Sequence, residues 1–212
     1  MLKLYGNKQS RAARCLWALE ELGLAYTQIP LDMATGQNRS PAYLAINPAG
    51  KIPTLIDGEF VLPESLAINA YLIAKAGPTP LWPDSIGIQA RINQWSSWAA
   101  TEMEIPLSNI IREKRRAAAS GGEAEPGFIA AQIASAGTAL GLLERKLGMR
   151  AHVAGDAFTL GDINAYTAAM LGPMFLDMTQ FPKVTGWLAR CAARDGWQRV
   201  QAIDESKLEP FG

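Results

Sequence analysis

The stretch from Asn47 to Ser65, NPAGKIPTLIDGEFVLPES, restricts the possible folds more than any other part of the chain. Asn-Pro and Ala-Gly end the preceding segment, and an Ile-Pro pair then precedes a short strand candidate. Asp57-Gly58 predicts a type I′ hairpin, since both central residues of that turn need positive φ. A Pro-Glu-Ser sequence leads directly into a helical pattern. The stretch therefore predicts rigidly presented backbone groups and a helix N-terminus, which suit a small peptide that carries a carboxylate.

Strand and helix patterns alternate over residues 1–76, whereas only helical patterns follow residue 83. The alternation predicts the order β-α-β-α-β-β-α, in which Arg11 to Leu22 form the first helix because apolar residues recur at three- and four-residue spacing. Residues 77–83, GPTPLWP, cannot continue a helix and predict a linker. We therefore expect an α/β domain at 1–76, a linker at 77–83 and an all-α domain at 84–212.

Three local signals in the second half of the chain predict its details. Pro106 predicts a bend in a long helix, and the Gly/Ala/Glu-rich residues 118–127 predict a loop. Thr159 and Asp162 have the spacing of a capping box, in which Thr159 is the N-cap of a helix.

Composition excludes several classes of function. The 20 basic residues equal the 20 acidic ones, so the formal net charge is zero and no electrostatic argument supports nucleic-acid binding. Two cysteines give neither a disulfide framework nor metal-ligand spacing, and a single histidine, His152, excludes a multi-histidine metal site. No apolar run approaches the ~20 residues of a membrane helix, and the polar N-terminal residues lack a signal-peptide pattern. We expect a soluble, cytoplasmic protein.

The element order and a set of short motifs resemble the cytosolic glutathione S-transferases, in particular their serine-type members. The residues that carry the resemblance are Leu4-Tyr5 with Ser10, Asn47-Pro48 with Gly50-Lys51-Ile52-Pro53, Glu64-Ser65 with Ala67-Ile68 and Tyr71-Leu72, and Phe158 with Thr159 to Asp162. The resemblance implies a thioredoxin-like N-terminal domain, an all-helical domain that contributes a pocket for the electrophile, and a homodimer. It further implies glutathione as co-substrate without a metal, and a small hydrophobic electrophile as its partner.

The resemblance assigns glutathione contacts within the opening stretch. It implies a cis Ile52-Pro53 bond whose Ile52 N–H and C=O pair with the cysteinyl main chain of glutathione. The sequence alone favours a trans bond, because only ~5–6% of X-Pro bonds are cis, and makes Pro53 the start of an edge strand. Ser65 at a helix start, with Glu64 beside it, would bind the γ-glutamyl end; a plain helix-capping role also explains a serine there.

The glycyl carboxylate of glutathione would contact Lys51, together with Asn38 in the preceding loop. Without the resemblance, Lys51 is an exposed lysine in a loop and carries no functional meaning.

Ser10 is the candidate for activating the thiol of glutathione, and Tyr5 is the runner-up. Lowering a thiol pKa of about 8.5 by two units needs about 2.7 kcal/mol. A hydrogen bond to an anion supplies ~1.5–3 kcal/mol and a helix N-terminus ~0.3–1 kcal/mol. Ser10 offers both, although a serine there also suits a plain N-cap. Cys15 lies on the apolar face of the first helix and is interpreted as a buried hydrophobic residue rather than a nucleophile.

The expected function is a glutathione transferase that forms a thiolate and adds it to small apolar electrophiles. Two alternatives stay open at this point: a glutathione-dependent isomerase or dehalogenase, and a non-catalytic binding or regulatory protein with the same fold. Helix residues Trp95, Trp98, Met103 and Leu107 are predicted to be mainly core, and some of them to line the pocket for the electrophile.

Overall fold

The computed structural model describes residues 1–211, which fold into two compact units. The first unit holds Met1–Trp82 together with the chain from Ala193 onward, and the second holds Pro83–Ala192. The sequence assigned all of residues 84–212 to the helical domain. The described residues after Ala192 belong instead to the first unit, and Gly212 lies outside the described part of the chain.

The first unit is a mixed four-stranded sheet with helices, the thioredoxin-like arrangement that the resemblance implies. Its elements up to residue 76 are β1 (Leu2–Tyr5), α1 (Ala12–Leu22), β2 (Tyr26–Ile29), α2 (Pro41–Ile46), β3 (Thr54–Asp57), β4 (Phe60–Pro63) and α3 (Ser65–Ala76). The strands lie in the order β2-β1-β3-β4. β1 runs parallel to β2 and antiparallel to β3, and β4 pairs antiparallel with β3. The predicted order β-α-β-α-β-β-α is therefore confirmed.

The hairpin between β3 and β4 differs by one residue from the predicted turn. Asp57 belongs to β3 and faces Phe60 in the register, so the two loop residues are Gly58 and Glu59. Gly58 has φ 62°, whereas Glu59 is not among the residues with positive φ. Only the first central position therefore needs glycine, and the type I′ prediction is wrong. The Asp57 carboxylate accepts hydrogen bonds from the Tyr71 hydroxyl and the Lys75 ammonium, each at 2.6 Å.

The second unit contains only helices, as the sequence predicts. They are α4 (Ile86–Trp98), α5 (Glu104–Ser120), α6 (Pro126–Leu147), α7 (Leu160–Ala169) and α8 (Pro182–Ala192). A π-helical turn, Ala99–Met103, joins α4 to α5, so the irregularity expected at Pro106 lies just before that proline. The loop predicted at 118–127 is shorter in the structure, because α5 continues to Ser120 and α6 begins at Pro126.

Asp162 organises the start of α7. Its carboxylate accepts the backbone N–H of Thr159 at 2.9 Å, which completes the predicted capping box. The same buried carboxylate accepts the backbone N–H of Val153 at 3.1 Å and the indole N–H of Trp187 at 2.9 Å. His152 Nδ1 lies 3.1 Å from it. Because a buried carboxylate needs several hydrogen bonds, one side chain fixes α7, α8 and the preceding loop together.

Helix α6 corrects the expectation that no segment resembles a membrane helix. It is 22 residues long, and an 18-residue window in it has a mean hydropathy of 1.4. In the described residues 1–211 it is the one helix that is long and apolar enough to cross a membrane. This is weak evidence of membrane insertion, because the core helices of folded domains have the same composition. Ala136, Leu140 and Leu143 of α6 are buried in the structure.

Helix α9 (Asp195–Ala202) explains why the end of the chain belongs to the first unit. The indole rings of Trp197 and Trp17 on α1 lie 5.0 Å apart. The Arg194 guanidinium donates two hydrogen bonds to the Glu21 carboxylate, at 2.8 and 2.7 Å. A bidentate pair beside two indole rings in contact, tilted by 50° to each other, gives this packing both apolar burial and a defined orientation.

Candidate functional site

The strand register brings three loops to one edge of the sheet. Tyr5 at the end of β1 faces Thr54 at the start of β3, and Thr54 faces Pro63 at the end of β4. Three segments therefore leave the sheet beside one another: the turn before α1, the Ile52-Pro53 pair, and Glu64-Ser65 at the start of α3. These are the segments that carry most of the predicted site residues.

The turn between β1 and α1 is closely packed and holds the Ser10 hydroxyl in two hydrogen bonds. Ser10 Oγ donates to the carbonyl oxygen of Asn7 at 2.7 Å and accepts the N–H of Ala12 at 3.1 Å. Gly6 has φ 147°, and a Cβ on it would lie 2.6 Å from the Cβ of Ala12 and 3.6 Å from that of Ile52. This loop therefore passes directly beside Ile52. Because α1 begins at Ala12, Ser10 lies in the turn that precedes the helix.

The Ile52-Pro53 peptide bond is cis, as the resemblance implies and against the preference of the bare sequence. Within residues 1–211, the N–H and C=O of Ile52 have no hydrogen-bond partner. The preceding carbonyl, that of Lys51, accepts the Tyr43 hydroxyl and the Asn47 side-chain amide, both at 2.8 Å. Buried side chains thus hold the loop in place and leave a donor and an acceptor of Ile52 available to a ligand.

The N-terminus of α3 has no side-chain cap. Glu64 occupies the N-cap position without a capping hydrogen bond, and Ser65 is the first residue of the helix. The Ser65 hydroxyl has no hydrogen-bond partner among the described residues, although Ser65 is only 5% exposed. A cap role therefore does not account for Ser65. Free N–H groups and the positive end of the helix dipole favour an anion at such a helix start.

Glu64 has φ 73° and ψ 110° and is the one non-glycine residue with positive φ in the described chain. For a residue that has a Cβ atom, this backbone conformation is unfavourable by about 1–3 kcal/mol, and residues in such conformations are concentrated at ligand sites. The structure therefore maintains an unfavourable backbone conformation immediately before the open end of α3.

Asn38 lies in the 3₁₀-helical turn Gln37–Arg39, which contacts the loop that contains Lys51. The Asn38 side-chain amide is buried and donates to the carbonyl of Gly50 at 2.7 Å. Gly50 has φ 59°, and a Cβ on it would lie 2.8 Å from the Asn38 carbonyl oxygen. The exposed ammonium of Lys51 has no ion pair with any residue between 1 and 211. Asn38 thus supports the loop, and Lys51 is available to an external carboxylate.

Tyr5 is enclosed in an aromatic cluster. Its ring lies 6.1 Å from that of Tyr43 and 5.9 Å from that of Phe211, and only 7% of Tyr5 is exposed. Burial raises the pKa of the Tyr5 phenol above its usual value of 10.0. This environment makes Tyr5 a packing residue of the sheet.

The chain is similar to known glutathione S-transferases over nearly its whole length. Family models for the N-terminal and C-terminal domains of glutathione S-transferases match residues 1–74 and 130–195. Glutathione S-transferase 3 of Zea mays is 32% identical over 209 residues, which cover 95% of this chain and 93% of the relative. This chain belongs to the glutathione S-transferase family. Glutathione S-transferase 1 of the same plant is 29% identical over 206 residues, 95% of this chain and 96% of that protein.

Solved glutathione S-transferases have the same fold. The theta class enzyme from Xanthomonas axonopodis pv. citri with glutathione bound has a TM-score of 0.82 and 30% identity, covering 96% of this chain and 98% of that one. Glutathione S-transferase-I with lactoylglutathione has a TM-score of 0.81 and 28% identity, covering 95% and 98%. The protein is therefore a glutathione transferase, and glutathione is its co-substrate.

Neither cysteine of this glutathione transferase is placed for chemistry. Cys15 and Cys191 are free thiols with no exposed surface. Burial raises the pKa of the Cys15 thiol, and its Sγ lies 3.5 Å from the Ser65 carbonyl oxygen, where it joins α1 to the start of α3. Residues 1–211 contain no group of three or more His, Cys, Asp or Glu side chains suited to a metal ion.

Asn7 is a site residue that the sequence analysis missed. Its carbonyl oxygen holds the Ser10 hydroxyl, and its side-chain oxygen accepts the N–H of Leu31 at 3.2 Å. Asn7 thereby ties the turn before α1 to the chain that follows β2. A Gly-Asn pair after the first strand indicates a turn, but the sequence does not show which side chain the turn holds.

Proposed function

We propose that Ser10 activates the thiol of glutathione and that the three loops beside the Tyr5–Thr54–Pro63 row bind the peptide. The observation that carries the proposal is that the Ser65 hydroxyl at the α3 N-terminus and the backbone N–H and C=O of Ile52, which have no hydrogen-bond partner within residues 1–211, lie at the same edge of the sheet. A γ-glutamyl carboxylate at Ser65 and a cysteinyl main chain at Ile52 would satisfy these groups together. The tripeptide then extends towards the turn that holds Ser10.

The remaining contacts follow from charge. Glu64 next to Ser65 would accept the ammonium of the γ-glutamyl group, and the Lys51 ammonium would pair with the glycyl carboxylate. Asn38 acts through its hydrogen bond to Gly50, which holds the loop before Lys51. Pro53 places the strand β3 directly after the Ile52 contact. Each group of glutathione that carries charge thereby has a partner of opposite sign or a hydrogen-bond donor.

Ser10 activates the thiol by stabilising its anion. The glutathione S–H loses its proton to water, and the Ser10 hydroxyl donates its hydrogen to the resulting sulfur anion. The thiolate then attacks an electrophilic carbon and forms a carbon–sulfur bond. Either a leaving group departs with its electron pair, or the thiolate adds to an activated double bond and the resulting carbanion takes a proton from water. To donate to sulfur, the Ser10 hydrogen must turn away from the Asn7 carbonyl oxygen, where it points in the structure. The positive end of the α1 helix dipole, which follows this turn, also favours the thiolate.

We propose a small apolar molecule as the electrophile, because apolar substrates concentrate beside the nucleophile without competing for the charged groups that bind glutathione. We propose further that the enzyme is a cytoplasmic homodimer. Two buried free thiols support a reducing compartment. Self-association is supported by β4, an edge strand that exposes 47% of Phe60 and 39% of Val61. Sedimentation that gives one 22.9 kDa species would refute the dimer.

Calorimetric titration with glutathione tests the binding site. Ser65→Ala removes a donor to a carboxylate and is expected to weaken binding by about 1–3 kcal/mol. Ser135→Ala, on the exposed surface of α6, is the matched control and is expected to leave the affinity unchanged. Equal affinities of both variants and the wild type would exclude Ser65 from the site.

A further inference from the structure

The C-terminal segment, residues 203–211, contacts the turn that holds Ser10. It follows α9 and belongs to the first unit, as that turn does. The Glu205 carboxylate accepts the backbone N–H of Lys8 and the side-chain amide of Gln28, both at 2.6 Å. Lys8 and Glu205 are 197 positions apart in the sequence, so only the folded chain brings them together.

Further hydrogen bonds hold the C-terminal segment near both of its ends. At its start, the Lys8 ammonium donates to the carbonyl oxygens of Gln201 and Ile203 at 2.7 and 2.6 Å. These carbonyls lie at the end of α9, where helix carbonyls lack intrahelical partners and favour a cation. At the other end, the Phe211 N–H donates to the carbonyl oxygen of Pro30 at 3.2 Å.

A local turn restrains the backbone of Glu205. Residues Glu205–Lys207 form a 3₁₀-helical turn whose N-cap is Asp204. The Asp204 carboxylate accepts the backbone N–H of Ser206 at 3.2 Å and its hydroxyl at 2.6 Å. Because a capping side chain fixes the first residues of such a turn, the half-buried Glu205 is presented to Lys8 by an ordered stretch of chain.

The hydrogen bond from Lys8 to Glu205 acts on the peptide group that holds Ser10. The Lys8 N–H and the Asn7 carbonyl belong to one peptide group, which is planar. That carbonyl oxygen accepts the backbone N–H of Ser10 at 2.9 Å and its hydroxyl at 2.7 Å. Fixing the direction of the N–H therefore also fixes the direction of the carbonyl, and with it the position of Ser10.

Strand β2 holds the other side of the same turn. The Gly6 N–H donates to the carbonyl oxygen of Ile29 at 3.0 Å, and the Gln28 amide donates to the carbonyl oxygen of Gly6 at 2.9 Å. The buried Gln28 amide also donates to Glu205. Without the Glu205 carboxylate, the Lys8 side of the turn would lose its bond, while the bonds of Gly6 to β2 would stay.

We propose that Glu205 is a positioning residue for thiol activation: through the Asn7–Lys8 peptide group it holds Ser10 where its hydroxyl can donate to the glutathione sulfur. This inference rests on the proposed role of Ser10. Misplacing a catalytic group by about 1 Å can cost up to 10²-fold in rate. The contact needs an acceptor oxygen at the right distance, so a glutamine serves there, whereas an aspartate, shorter by one methylene, does not.

The thiolate absorbance of the enzyme–glutathione complex, recorded as a function of pH, tests the proposal. Glu205→Ala removes the acceptor, Glu205→Asp keeps the charge at a shorter reach, and Glu205→Gln keeps an acceptor oxygen. Glu209→Ala is the matched control, because Glu209 is an exposed glutamate of the same segment without a partner in residues 1–211. Ser10→Ala and its double variant with Glu205→Ala show whether Glu205 acts through Ser10.

We expect Glu205→Ala and Glu205→Asp to raise the pKa of the bound thiol by about half a unit. Below the wild-type thiol pKa, the amount of thiolate and kcat then fall about three-fold, less than in Ser10→Ala because the hydroxyl is still present. Glu205→Gln and Glu209→Ala should match the wild type. The affinity for glutathione, measured by calorimetry below the thiol pKa, should stay unchanged, because the groups proposed to bind it lie in other segments. In the Ser10→Ala background, Glu205→Ala should raise the thiol pKa no further.

Hydrogen exchange of the Lys8 amide reports the contact itself and should be faster in Glu205→Ala but not in Glu205→Gln. A wild-type thiol pKa in Glu205→Ala and Glu205→Asp, together with a raised one in Ser10→Ala, would overturn the role of Glu205 and leave that of Ser10 intact. An equal rise on the wild-type and Ser10→Ala backgrounds, or no rescue by Glu205→Gln, would also overturn it. An unmoved thiol pKa in Ser10→Ala would refute the proposed function itself and the role of Glu205 with it.

Discussion

Removing the Ser10 hydroxyl is expected to raise the pKa of the bound glutathione thiol by about one unit. A hydrogen bond to the thiolate contributes about 1.5–3 kcal/mol. In the structure that hydroxyl already donates to Asn7 at 2.7 Å, and breaking this neutral bond costs about 0.5–1.5 kcal/mol. The difference is about 1–1.5 kcal/mol, and one pKa unit corresponds to about 1.4 kcal/mol. The hydrogen bond to Asn7 therefore roughly halves the change in thiol pKa that a serine hydroxyl without this bond would produce.

The assay is the ultraviolet absorbance of the thiolate in the enzyme–glutathione complex, recorded as a function of pH. At any pH below the thiol pKa of the wild-type complex, the Ser10→Ala complex should contain about ten-fold less thiolate than the wild type, and kcat should fall in proportion. Ser10→Thr retains a hydroxyl and should retain most of the shift. Because the Ala12 N–H also loses its acceptor, Ser10→Ala is expected to lose about 1 kcal/mol of stability. The spectroscopic titration is independent of that loss.

Tyr5→Phe decides between the two candidates. The Tyr5 ring is buried among aromatic rings, and burial raises its pKa, so we expect the thiol titration of Tyr5→Phe to match the wild type. A raised thiol pKa in Tyr5→Phe, together with an unchanged one in Ser10→Ala, would refute the assignment of Ser10.

Three further predictions concern stability. Glu64→Gly should raise the unfolding free energy by about 1 kcal/mol, since it relieves a φ of 73°, yet weaken glutathione binding; Glu64→Gln should weaken binding without the gain in stability. Thr159→Ala should cost about 1 kcal/mol in denaturant unfolding, whereas Thr138→Ala on the exposed face of α6 should cost less. Burial by itself would raise the pKa of the Glu21 carboxyl, but its hydrogen bonds with Arg194 and Trp17 have the larger effect. The pKa of Glu21 in the folded protein is therefore lower than its ordinary value. The stabilisation of the wild type relative to Glu21→Gln should therefore be fully present above pH ~4.3, the pKa of a glutamate in the unfolded chain. Melting temperatures of the two proteins should approach each other as the pH falls below that value.

Many of the secondary-structure elements could be predicted from residues that are neighbours in the sequence. The Asn47–Ser65 stretch predicted a proline-led strand, a hairpin and a helix start, and each is present, because turn residues and helical periodicity depend on neighbours in the chain. The predicted capping box at Thr159 is present for the same reason. The errors concern features that neighbours in the chain do not decide, such as the unit to which the residues after Ala192 belong. Propensity did not distinguish Asp57-Gly58 from Gly58-Glu59 as the turn centre, since the strand register makes that choice.

The sequence by itself determined the order of elements, the family and the residue types of the candidate site. Only the tertiary structure decided which of them lie together. Pairing of Tyr5, Thr54 and Pro63 in one row brings Ser10 and Ser65 to the same edge, although they are far apart in sequence. It also determined that the Ser10 hydroxyl bonds to Asn7, that α9 packs with α1, and that the Glu205 carboxylate accepts the Lys8 N–H. Such contacts depend on many weak long-range interactions acting at once, and no single stretch of sequence contains them.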